Sequence, residues 1–281
     1  MSLKTEIDTP PTIIIEPEHG LRRLGLRDLW EYRDLIRYLV MRNIHGRYRP
    51  TNLGLLWIII TPLAYMTIYS LVFGLMLGVK SDKVPYPMFV YSGITLWFFF
   101  QGTVNRTTSS LTSNRGIMKK VYYPRLIVPL VAILSELVDY VASLIPLVLM
   151  FFYYRFIPGF TILTLPFFAL LMVLAASALG IWLAALSVNT PDVGLALRPS
   201  FRALLYLSPI LYPISHIPDA WRSFVYLNPL STIFQGYRWA LWGEESPPIL
   251  IVLIVTVLLI SGFVAALFYF RRVERTMVDY L

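Results

Sequence analysis

The chain has 281 residues, 57% of them hydrophobic and only 14% charged, against about 25% charged in an ordinary soluble domain. That balance excludes a soluble globular protein, and the absence of cysteine excludes disulfides, thiol catalysis and cysteine-ligated metal clusters. The net charge of +8 reads, in a membrane protein, as lysine and arginine held on the cytoplasmic side rather than as a nucleic-acid patch.

Residues 1–25 begin "MSLKTEIDTPPTIIIEPEHG", with acids, three prolines and no long apolar run. An extended or poorly ordered arm is expected here, not a signal peptide. Residues 26–50 show a helical stripe of Leu29, Tyr32, Leu35, Ile36, Leu39 and Val40. Asp28, Glu31, Asp34, Arg37 and Arg42 fall largely on the other side. Such a helix is too charged to cross a bilayer and is expected along the membrane surface, or between the membrane and a partner.

The remainder, 51–281, is expected to be an all-α, six-span domain. The apolar segments lie at 53–79, 86–104, 126–154, 162–187, 203–215 and 249–270. The fifth is short because Pro209 and Pro213 interrupt it. Counting charges tests the topology. With the N-terminus inside, the cytoplasmic pieces 1–52, 105–125, 188–202 and 271–281 hold 19 of the 24 Lys and Arg. The other side holds Lys80, Lys83, Arg155, Arg222 and Arg238. This asymmetry favours a multi-pass membrane protein with both termini in the cytoplasm.

The first segment carries Tyr65, Tyr69 and Phe73 at a spacing of four, and the second carries Trp97 and Phe98 within "LWFFF". Aromatic faces stack on sugar rings. Packing or an interfacial aromatic belt is the competing reading. "NRT" (105–107) matches a glycosylation sequon, but this topology places it in the cytoplasm. In the third segment Glu136 and Asp139 share a helix face. Two readings stand: a functional pair facing water inside the bundle, or a pair held by a structural arginine near the cytoplasmic end.

Residues 114–125, "NRGIMKKVYYPR", hold more than orienting charge. If helical, Ile117, Met118 and Val121 form an apolar face beside Lys119 and Lys120, and Pro124 ends it. A short surface helix of this kind fits a groove on a partner protein. Residues 216–248 are broken at Asn228-Pro229 and at Gly236, with seven aromatics in 221–242. They read as two short helices dipping into the outer leaflet, or as a plain external loop. "GLMLGVKS" has the wrong glycine spacing for a phosphate-binding loop, and His19, His45 and His216 lack ligand spacing, so a metal site is not expected.

"RYRPTNLGLLWIIITPLAYMTIYSLVFG" (47–74), "MKKVYYPRLIVP" (118–129), "SPILYP" (208–213) and "NPLSTIFQGYRWAL" (228–241) follow one another in the order seen in type-2 ABC exporter permeases. With "IIIEPEHG" ahead of the amphipathic helix, the chain resembles the polysaccharide-exporting branch of that family, and most of all the O-antigen transporter permeases. The pattern departs at Pro50, where many relatives carry a small or polar residue.

The resemblance implies a homodimeric permease, each copy binding one cytoplasmic ATPase subunit. ATP and Mg would be bound by that partner, with no cofactor and no catalytic residue in this chain. The cargo would be a lipid-linked polysaccharide crossing the inner membrane. By the same resemblance, 26–50 corresponds to an interface helix. The coupling helix corresponds to Ile117, Met118, Lys119, Lys120, Val121 and Tyr122, and periplasmic gate helices to 216–248, including Asn228, Arg238 and Trp239. Tyr65, Tyr69, Phe73, Trp97 and Phe98 would line the channel, and Arg47 and Arg49 would hold the lipid pyrophosphate. Teichoic acid, a capsule polymer or another amphipathic molecule is an alternative cargo. A polyprenyl-phosphate sugar transferase would need an acidic metal-binding cluster that Glu136 and Asp139 do not supply. An ion-coupled transporter would show an inverted repeat, and none is visible.

Overall fold

The computed structural model describes residues 30–114, 116, 123–190 and 192–274. The arm expected over 1–25, Leu29 and the coupling segment 117–122 lie outside them. The described residues form helices and connecting turns, with no strand among them.

Helix α1 (Arg33–Tyr48) buries Ile36, Leu39, Val40 and Ile44, spaced to form one face. That face packs along α4 (Ile127–Ser143) and joins a cluster with Ile127, Val131 and Phe270. The stripe expected to rest on the membrane surface is thus covered by the protein itself. Ile44, which continues the stripe by one turn, was not part of the expected set. Pro50 stops the helix, since it cannot donate a backbone hydrogen bond. Thr51 closes the turn by donating to the Tyr48 carbonyl at 2.8 Å and accepting from the Gly54 amide at 3.1 Å. Gly54 sits at φ +54°, where a side chain would be strained.

The next helix runs from Gly54 to Met76 as a 3-10 turn, α2 (Trp57–Tyr69) and a π-helical stretch, Ser70–Met76. Its outer face, including Leu55, Trp57, Ile68, Leu71 and Leu75, is exposed. At the centre stands α3 (Tyr86–Ser113), flanked by α2, α4 and α6 (Leu165–Ser187). The second segment was expected to end at 104, but the helix continues nine residues further, about 14 Å. Residues 105–113 lose apolarity without losing helicity. Ser109, Ser110 and Thr112 turn their hydroxyls back onto carbonyls three or four residues earlier. Small residues let the helices close in: a Cβ on Gly180 of α6 would stand 2.9 Å from Thr107 Cβ.

Helices α4 and α5 (Ile145–Tyr153) make one rod bent at Leu144, ahead of Pro146. Tyr91 donates to the Ser143 carbonyl at 2.8 Å, satisfying backbone that the bend leaves open. A 3-10 turn, Phe160–Thr164, leads into α6.

The fifth expected segment is corrected. Helix α7 is Asp192–Leu207, so it occupies most of the piece assigned to a cytoplasmic loop at 188–202. It ends at Leu207, and the chain turns through 208–213 into a 3-10 turn, Ile214–His216. Pro209 and Pro213 prevent the helix from continuing. Helices α8 (Asp219–Leu227) and α9 (Pro229–Trp242) follow. Asn228 caps α9, accepting from the Leu230 amide at 3.0 Å, and Pro229 occupies the first turn. Nearly every residue of α9 is buried, so 216–248 is no plain external loop. Gly236 lies so close to Phe168 of α6 that a Cβ would overlap the ring. The last helix, α10 (Ile249–Glu274), packs on α6.

Among the described residues four helices are long and apolar enough to cross a membrane, judged by length and composition: Gly54–Met76, Ile127–Tyr153, Phe160–Ser187 and Ile249–Glu274. Helix α3 falls short of that apolarity because it is rich in hydroxyls. Its neighbours surround it, so it does not need a lipid-facing surface.

Candidate functional site

Packing α1 along α4 carries Arg47 to the two acids inside the bundle. The Arg47 guanidinium donates to Asp139 and lies 2.9 Å from Glu136 Oε1. Tyr48, the next residue, donates its hydroxyl to Asp139 Oδ2 at 2.9 Å. Arg106 of α3 pairs with Glu136 from the other side. Gly102, one turn before Arg106, leaves the space that the Glu136 carboxylate fills. Two cations and two anions thus neutralise one another where α1, α3 and α4 meet.

Burial alone would lower the Arg47 pKa, but Glu136 and Asp139 outweigh it and the net shift is upward. Arg47 stays cationic at any physiological pH. Burial also pushes the Tyr48 phenol up, which keeps it a proton donor to Asp139. All four charged groups are committed to ion pairs with one another. The capacity of the cluster is mechanical: it fastens α1 to the bundle.

The four charges are part of the wall of a cavity of about 420 Å³. Tyr65 and Phe98 stand on its wall, with ring centroids 5.1 Å apart and edge to face. Tyr69 and Phe73 continue the stack along the first long helix at 6.0 Å steps. Four of the five aromatics singled out in the sequence therefore form one run. Trp97 does not join it: it is 2% exposed and packs against Phe100 and Phe201.

Arg47 and Arg49 are separated. Arg47 is committed to carboxylates, while Arg49 is exposed and absent from the cavity wall. Asn228 caps α9 and donates to Ser208 Oγ at 2.9 Å. Arg238 is buried. It donates to the carbonyls of Pro209 and Ile210, the latter at 2.6 Å, and lies 3.6 Å from the Phe89 ring centroid. Trp239 meets Phe168. Asn228 and Arg238 thus tie α9 to the turn that follows α7, while Trp239 ties it to α6. Ile117, Met118, Lys119, Lys120, Val121 and Tyr122 lie outside the described residues.

Arg106 and Tyr48 are the site residues that sequence reasoning missed. The signal was Gln101-Gly102 followed by Asn105-Arg106, a polar patch in an otherwise aromatic helix.

The family model described as "ABC-2 type transporter" matches residues 34–242, from α1 to the end of α9. The chain belongs to the ABC-2 type transporter family. With four membrane-capable helices, this ABC-2 chain is a membrane protein. It is 28% identical over 255 residues to the O-antigen export system permease protein RfbA of Myxococcus xanthus, covering 89% of this chain and 96% of that one. It is 25% identical to RfbA of Klebsiella pneumoniae over 206 residues, 73% of this chain and 79% of the relative. It is also 25% identical to the polysialic acid transport protein KpsM of Escherichia coli over 249 residues, 86% and 94% of the two chains. The match takes in the charged cluster, the aromatic run and the Arg238 contacts of the ABC-2 domain, while α10 follows it.

Proposed function

We propose that this chain is the permease subunit of an ABC exporter moving a lipid-linked polysaccharide of O-antigen type across the inner membrane. The observation that carries this reading is the near end-to-end similarity to permeases named for O-antigen and polysialic acid export. In this reading α3, and α7 with the turn after it, complete six spans around the four most apolar helices. Both termini are cytoplasmic, and α8 and α9 form a re-entrant pair at the periplasmic side.

The permease works as a homodimer with two ATPase subunits, which bind ATP and Mg. Energy must arrive through contacts, because the ATP sites are on the partner. The segment around Met118 to Tyr122 receives the push at the cytoplasmic end of α3. Arg47 and Arg106 fasten α1 and α3 to α4, so the three helices move together and open a path at the dimer interface. The run Tyr65, Tyr69, Phe73 and Phe98 offers stacking faces with few hydrogen bonds, along which sugar rings slide.

Deleting the gene in its host tests the reading. Lipid-linked polysaccharide should accumulate inside while surface polymer is lost. Unchanged surface polymer would overturn it.

A further inference from the structure

A second cavity, of about 640 Å³, lies against α3, α6 and α7 and shares Asn105 with the first. Asn105, Thr108, Ser109, Thr112, Ser187 and Arg198 stand on its wall, and no carboxylate does. Its volume is that of small-molecule sites, about 300–1,000 Å³.

The polar groups divide into two kinds. Ser109, Thr112 and Ser187 already donate their hydroxyl protons to backbone carbonyls, so what they present is acceptor oxygen. Thr108 is different: it is 2% exposed and its Oγ1 has no partner. A buried hydroxyl without a hydrogen bond is costly and points to a ligand that supplies one. Arg198 is exposed and forms no ion pair among the described residues. The Asn105 amide adds two N–H donors. One part of the wall therefore donates and carries positive charge, and another part accepts.

The geometry points to a site for a glycosyl phosphate headgroup, with Arg198, Asn105 and Thr108 on the phosphate and the acceptor oxygens on sugar hydroxyls. This deepens the export reading and rests on it for the source of the headgroup, the lipid-linked saccharide. The charged cluster around Glu136 is poorly suited to a phosphate. Arg47 and Arg106 are neutralised there, and Glu136 and Asp139 would repel it. Arg198 faces no such competition.

The test uses the full chain in phosphatidylcholine nanodiscs, titrated with glucose 1-phosphate, inorganic phosphate or glucose and followed by ligand-observed NMR. Glucose 1-phosphate should bind more tightly than either half alone. Arg198→Gln should weaken it about tenfold and Thr108→Val, which keeps the shape, about fivefold, as expected for a charged and a neutral hydrogen bond. A Cβ on Gly194, another wall residue, meets nothing within 4 Å. Gly194→Leu should therefore fill the cavity and abolish binding while thermal unfolding stays unchanged. Arg37→Gln, at an exposed arginine of α1 that lines neither cavity, should leave the affinity as it was.

Equal binding of phosphate and glucose 1-phosphate would reduce the cavity to an anion site and overturn the sugar assignment. Displacement by added phosphatidylglycerol would assign it to bulk lipid and overturn the saccharide source. Indifference to Arg198→Gln and Gly194→Leu would overturn the site itself. Because binding is read without transport, failure here is distinct from failure of the gene-deletion experiment.

Discussion

Arg47 on α1 and Glu136 on α4 meet at 2.9 Å, with a side chain 8% exposed on the acidic side. Their pairing converts an amphipathic surface helix into a fixed part of the bundle. Arg106 and Asp139 complete the charge balance.

Breaking one partner of such a cluster strands the others. Arg47→Met should cost about 3–5 kcal/mol of stability, as for a buried pair losing one member. Arg47→Met combined with Asp139→Leu should cost less than the two single changes added together. Denaturant midpoints in micelles measure both, and strict additivity would show that the contact carries no coupling.

Gly236→Ala should destabilise the protein by about 1–3 kcal/mol, because the new methyl overlaps the Phe168 ring. Phe168→Leu in the same chain should recover part of the loss. If thermal unfolding of Gly236→Ala matched the parent, α9 would not be packed against α6 as described.

Arg238 satisfies two carbonyls and lies over Phe89. Arg238→Met should lower stability by about 1–3 kcal/mol for each carbonyl stranded. Arg238→Lys should recover little, since an ammonium lacks the planar fork and the stacking face. Full rescue by lysine would reduce the role of Arg238 to charge alone.

Tyr65→Ala with Tyr69→Ala should slow polysaccharide export several-fold and leave ATP hydrolysis by the partner near normal. Stacking on an aromatic face contributes to sliding, not to energy transfer. A parallel fall in both rates would place these tyrosines in coupling instead.

Lys119→Glu with Lys120→Glu should uncouple the two activities: hydrolysis continues while export falls. Export at the parental rate, measured with the ATPase subunits present, would remove this segment from coupling.

Much of the fold was legible in the sequence. The long runs at 53–79, 126–154, 162–187 and 249–270 correspond to four helices because apolar length has few other uses. The break at Asn228-Pro229 was legible as well, since proline and an asparagine cap act locally. The extension of α3 to Ser113 was not. A hydropathy reading stops where Asn105 and Arg106 begin, although hydroxyls turned onto the backbone let the helix continue. The fifth segment failed for the same reason: α7 carries Arg198, Pro199 and Arg202, which read as loop until helices α3 and α6 are set beside it.

What the sequence by itself determined is the membrane character, the helical class and the placing of Glu136 and Asp139 on one helix face. These follow from composition and from periods of three and four residues, which are local. Only the tertiary structure decided that Arg47 and Arg106 answer those acids, that Trp97 is core while Tyr65 and Phe98 share a wall, and that Thr108 is buried without a partner. These relations join residues far apart in the chain. They depend on how closely small residues such as Gly102, Gly180 and Gly236 let the helices approach, and no periodicity records that distance.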